Sequence, residues 1–80
     1  MRFIINENRV IGKSRAANDL RNCQRAIAKM YEVRRNIRTT IVTVDGMFGV
    51  TIECDTESAA EAVRGIMDGF TNYGETVLGD

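Results

Sequence analysis

The chain is predicted to fold as one α+β domain over residues 1–80, and three features of the sequence lead there. Asp45-Gly46 separates two alternating, β-branched runs, which is the strong local signal of a two-residue hairpin. A segment with apolar residues at helical spacing precedes that hairpin, and another follows it. A short β-type run opens the chain. The order β-α-β-β-α, with an optional final strand, implies a two-layer antiparallel sheet with both helices on one face, ferredoxin-like if the last strand forms.

Arg2 to Asn6 reads RFIIN, a strand-like run. Asn6-Glu7-Asn8 then offers turn chemistry before Arg9-Val10-Ile11 resumes it, so the segment is one strand or a small hairpin. Ser14 is the expected N-cap of the first helix, in which Ala16, Leu20, Cys23, Ile27 and Met30 recur at spacings of four, three, four and three. That amphipathic period predicts a helix to about Arg35.

Ile37 to Val44 and Met47 to Cys54 are the hairpin strands. The two-residue loop pairs Thr43 with Phe48, Ile41 with Val50, Thr39 with Ile52 and Ile37 with Cys54 on the core face, and sets Arg38 opposite Glu53 on the other. Asp55 and Thr56 are good caps, Ser58 to Glu61 has capping-box spacing, and Ala59, Val63, Ile66 and Phe70 continue with helical period, predicting a helix from about Thr56 to Phe70. Gly65 and Gly69 within it suggest close approach of another backbone, most simply the first helix. Asn72-Tyr73-Gly74 reads as a turn, and Glu75 to Leu78 as a last strand or a tail.

The hydrophobic fraction of 44% and charged fraction of 28% are those of a folded globular chain. A domain this short buries only about 60% of the surface of its unfolded form, so association with a second copy would help it. No apolar stretch reaches the roughly 20 residues of a membrane span, and Met1 to Ile11 lacks the apolar core and cleavage site of a signal peptide. The expectation is a cytoplasmic protein that does not enter a membrane. Cys23 and Cys54 are too few and too scattered for a disulfide framework and fall on apolar sides of predicted elements, as reduced core residues.

With no histidine in the chain, imidazole acid-base chemistry, Ser-His and Cys-His nucleophiles and His-containing metal sites are excluded. The acidic residues after Asp45 are spread over a strand end and a helix exterior, with no pattern of metal ligands. No catalytic residue, metal or cofactor is therefore expected. Gly12-Lys13-Ser14 has the ending of a phosphate-binding loop, but Glu7 stands where that pattern needs a glycine. What remains is a helix start that, with Lys13, suits one phosphate of a larger ligand.

From Asp45 to Gly69 the chain resembles the RNA-recognition motif: Gly46, Val50-Thr51, Glu53 and the Ala-rich helix that follows come in a similar order, over about a third of the chain. That family stacks bases on exposed aromatics of this strand, whereas Met47 and Gly49 occupy the corresponding positions here. A base-stacking sheet is not implied.

Charge is strongly separated along the chain. Residues 1–38 hold ten basic and three acidic side chains, a net of +7, and residues 39–80 hold one basic and eight acidic, a net of −7, so the overall zero hides a dipole. At 100° per residue Arg21, Arg25 and Lys29 form a ridge on the outside of the first helix, with Arg15, Asn18 and Asn22 beside it. Arginine forks match phosphate oxygens, so the expected site is a nucleic-acid surface of Arg21, Arg25 and Lys29 extended by Arg15, Arg34, Arg35 and Lys13, with RNA favoured over DNA. The bland alternative is a solvated helix face paired with the acidic second helix.

Val42, Val44 and Met47 share the sheet face away from the helices, with Ile4 near them if the first strand joins the sheet. An exposed apolar patch suggests a protein contact, most simply a homodimer, unless the C-terminal segment folds over it. A second functional class stays open: a protein-binding inhibitor or antitoxin-like regulatory factor, phage or mobile-element encoded in style, that acts on a host protein.

Overall fold

A computed structural model describes residues 1–7, 12–69 and 73–79. The order is β1 (Arg2–Glu7), α1 (Lys13–Ala28), a 3₁₀ turn (Arg34–Asn36), β2 (Ile37–Val44), β3 (Met47–Cys54), α2 (Glu57–Met67) and β4 (Tyr73–Leu78). The strands form one sheet in the order β2-β3-β1-β4, every neighbouring pair antiparallel. The chain is thus an α+β protein, with two α-helices and a four-stranded sheet among the described residues.

The hairpin follows its turn chemistry. Asp45 and Gly46 take φ of 52° and 78°, the two positive values that let the turn follow the right-handed twist of the strands. The resulting register pairs Ile37 with Cys54, Thr39 with Ile52, Ile41 with Val50 and Thr43 with Phe48, and sets Arg38 opposite Glu53, as the loop length requires. β1 then pairs Ile5 with Ile52 and Phe3 with Cys54. Because side chains alternate along each strand, Phe3, Ile5, Ile37, Val50, Ile52 and Cys54 share one face. They form a single core with Cys23 and Ile27 of α1 and Ala59, Ala60, Val63 and Met67 of α2.

Several element ends differ from the sequence expectation. α1 starts one residue before Ser14, with Gly12 as its N-cap and no side-chain capping bond, and stops at Ala28 rather than Arg35. From there i→i+3 bonds take over: Met30 N–H donates to the Ile27 carbonyl at 2.9 Å and Val33 N–H to the Met30 carbonyl at 3.1 Å. Met30 and Val33 still pack on the core, so the apolar period runs on past the helix because turns of three residues preserve it. The cap of α2 is Thr56, one of the two expected caps, whose Oγ1 accepts from the Ala59 N–H at 3.1 Å; the Ser58 capping-box spacing is not what caps it. α2 ends at Met67.

β4 forms, and Tyr73 and Gly74 belong to it rather than to a turn, opposite Glu7 and Asn6. A second β-run at Arg9-Val10-Ile11, the helical position of Phe70 and the turn role of Asn72 lie outside the described residues. The two glycines of the second helical segment do not admit a neighbouring backbone. A Cβ on Gly65 meets nothing within 4 Å, and one on Gly69 meets only the Ile66 carbonyl, at 3.7 Å. Gly65→Ala is therefore expected to stabilise the protein by up to about 1 kcal/mol, the propensity difference at an open helix site, read as a rise in urea midpoint. A loss of stability would mean that the backbone is approached there after all.

Candidate nucleic-acid interface

α1 lies on the sheet through Ala16, Cys23 and Ile27, all buried, and presents Asn18, Arg21, Asn22, Arg25 and Lys29 on its exposed side. Gln24 flanks the contact with β2, its Nε2 donating to Thr39 Oγ1 at 3.2 Å. Arg21, Arg25 and Lys29 then succeed one another along the outer face at a rise of about 6 Å per step. Among the described residues no carboxylate makes an ion pair with any of the three.

Three cations outside α1 are held by carboxylates. Arg2 reaches Glu53 at 2.7 Å, and Arg38 lies 3.3 Å from Glu53 and donates to Asp55 Oδ2 at 2.9 Å. This network crosses β1, β3 and β2 on the open face of the sheet. Hydrogen bonds from Arg2 and then Arg38 hold the Glu53 carboxyl below its ordinary range, and Arg38 does the same for Asp55. Arg64 of α2 donates through Nε to Glu75 of β4 at 3.0 Å and lies over the Phe3 ring at 5.8 Å. Among the described residues no carboxylate of α2 makes an ion pair with the α1 ridge, whose side chains stand in solvent.

The remaining cations of the expected surface divide. Lys13 is exposed at the opposite end of α1, about 24 Å of helix away from Lys29, and by helical angle it falls on the side of Leu20, off the ridge. Arg15 faces toward Glu7, whose carboxyl its charge acts to lower. Arg34 donates from Nη1 to the Ala28 carbonyl at 3.0 Å, so it closes the C-terminus of α1, where a cation meets the negative end of the helix dipole. Arg35 stays exposed beside it.

Sequence reasoning missed Tyr31. It is 75% exposed, and the Arg34 guanidinium carbon sits 4.9 Å from its ring centroid. The ring forms one wall of an open groove of about 520 Å³ between the end of α1 and α2, lined also by Lys29, Met30, Val33, Ser58 and Ala62. The signal was an aromatic inside an Arg/Lys-rich stretch, hidden because the segment reads as continuing helix.

A second cluster sits where β1 meets α1. Burial, with the hydrogen-bonded and charged Asp19 carboxyl beside it, pushes Glu7 up to about 7 against a weaker opposing pull from Arg15. Burial, with Asp19 and Glu7 nearby, lifts the Cys23 thiol to about 11. Cys54 is likewise raised to about 11, mainly by burial, and both cysteines are buried and unpaired. Thiols of that kind are poor nucleophiles at neutral pH. Among the described residues no group of three or more Cys, Asp or Glu side chains is placed to hold a metal ion, and no helix is long and apolar enough to cross a membrane.

On the open sheet face, Met47 is 49% exposed and Val42 half-buried near the hairpin end, while the side chain of Val44 lies outside what the structure describes. Ile4 does not join them. It pairs with Glu53, six residues along β3 from Met47 and so about 20 Å away. The C-terminal strand does not cover them either, since β4 lies at the opposite edge of the sheet from β2.

Comparison with known protein families, curated proteins and solved structures finds no match for this chain.

Proposed function

We propose that this chain is a small non-enzymatic nucleic-acid-binding protein, RNA favoured over DNA, that contacts phosphates through Arg21, Arg25 and Lys29 of α1. The observation that carries the reading is the contrast among its cations. Arg2, Arg38 and Arg64 are held by carboxylates, whereas the ridge of α1 is exposed and has no ion pair among the described residues. A row of arginines left without carboxylates suits an external polyanion, whose release of counterions drives sequence-independent binding. The β-α-β-β-α-β order and the strand order β2-β3-β1-β4 support a ferredoxin-like reading of the fold, and the likeness of residues 45–69 to the RNA-recognition motif supports RNA.

The test is fluorescence anisotropy with labelled single-stranded RNA and duplex DNA at low and physiological salt, comparing wild type with an Arg21→Glu, Arg25→Glu, Lys29→Glu triple variant. These side chains are exposed, so the fold is expected to survive, with circular dichroism as the check. Three phosphate contacts predict that the variant's log-log salt slope is shallower by about 2 to 3 and its affinity at least about tenfold weaker. A wild type that binds neither probe at low salt sinks the reading and makes a host protein the leading partner.

A further inference from the structure

The ridge does not end in solvent. At its C-terminal end the chain turns into residues 29–36, and there an aromatic ring, a guanidinium and an open groove come together.

We infer that Tyr31 is a base-stacking platform at the end of the α1 ridge, and that the nucleic acid this surface takes is single-stranded. The inference rests on the phosphate-binding reading of the same surface and adds to it the strand state of the ligand. Tyr31 is three-quarters exposed, the opposite of where a tyrosine in a small domain usually places its ring area, because burying aromatic surface is strongly favourable. Arg34 is tied to the Ala28 carbonyl at 3.0 Å and lies against the ring at 4.9 Å, and it does not line the groove. The guanidinium supports the ring while the groove side stays open.

The groove has the chemistry of a base site rather than a phosphate site. Met30, Val33 and Ala62 supply apolar walls, and Ser58 and Glu32 supply a hydroxyl and a carboxylate suited to the polar edge of a base. Glu32 would repel a phosphate placed there. Lys29 stands at once on the ridge and on the groove, so a strand whose phosphates follow Arg21, Arg25 and Lys29 brings its next base to the Tyr31 ring. A base paired within a duplex is not available to that ring, and only an unpaired one can stack.

The test uses the full chain with three labelled probes: a short single-stranded RNA, an abasic strand of the same phosphate count, and a duplex of the same length. Stacking predicts that wild type binds the RNA about 5- to 150-fold more tightly than the abasic strand, the effect of one base on one aromatic. Tyr31→Ala is expected to erase that preference while leaving affinity for the abasic strand unchanged, and Tyr31→Phe to keep it. Equal binding of wild type to all three probes overturns the stacking inference and leaves the phosphate reading standing. Failure to bind any of them overturns both.

Discussion

Replacing Ile52 with alanine is expected to cost about 2–5 kcal/mol, a large share of the stability of a domain this size. β3 is an interior strand, and Ile52 has no exposed surface. It lies between Thr39 of β2 and Ile5 of β1, and Ile5 is equally enclosed. The cavity cannot collapse by moving either neighbour, because both are fixed by backbone pairing, so the cost belongs toward the upper part of that range. A domain of this size has a total stability of about 4–12 kcal/mol, which makes the loss visible as a fall of more than about 1 M in the urea midpoint. Val42→Ala, half-buried on the open face near the hairpin end, is expected to change the midpoint far less. Equal losses at the two sites would mean that the open face is covered by a partner, as a sheet-to-sheet dimer would require.

That contrast depends on a register legible in the amino-acid sequence itself. Asp45-Gly46 demands two positive φ values, the loop then has one length, and the length dictates which side chains share a face. Helix ends were less legible. Nothing between Lys29 and Val33 has the backbone preference that ends a helix, and Met30 and Val33 keep packing on the core through i→i+3 turns. Reading this segment as helix hid Tyr31, and it did not foresee the hydrogen bond of Arg34 to the Ala28 carbonyl or its contact with the Tyr31 ring. Gly65 misled for a different reason: a glycine in a helix costs stability wherever it stands, and only the surrounding atoms tell whether a neighbour required it.

The charge separation of the sequence takes a particular spatial form. The carboxylates of the C-terminal half are partly consumed on the sheet, by Arg2 and Arg38 at one end of the open face and by Arg64 beside β4. The remaining acids of α2, Glu57, Glu61 and Asp68, are exposed. The helical layer therefore has one cationic helix and one anionic helix, with the groove between them. A polyanion approaching this layer is drawn to α1 and repelled from α2, which fixes the side from which it arrives and leaves Tyr31 at the boundary.

The stability of this protein is expected to fall as pH rises from about 4.5 to about 7, and Glu7→Gln is expected to remove that fall. Glu7 titrates near 7 when folded against 4.5 in an exposed chain, first because of burial and then because of Asp19. Its Oε2 is buried and has no hydrogen-bond partner among the described residues, which makes the charged carboxylate costly there. The folded state thus binds more protons than the unfolded state across that window, and stability must drop as they are lost. The full shift corresponds to about 3 kcal/mol, and because the carboxyl is partly solvated the effective figure is about 1–2 kcal/mol. Glu53, Asp55 and Glu75 act oppositely. Their carboxyls are lowered by Arg2, Arg38 and Arg64, so their contribution is present above the ordinary carboxylate range and is lost as pH falls below it. Wild type should therefore be most stable near pH 5. Urea midpoints at pH 5 and pH 8 decide the matter: an uncharged amide in place of the Glu7 carboxyl resembles the protonated acid, so the variant should match wild type at pH 5 and exceed it at pH 8. A variant that gains nothing at pH 8 would show that Glu7 ionises there at no cost to the fold.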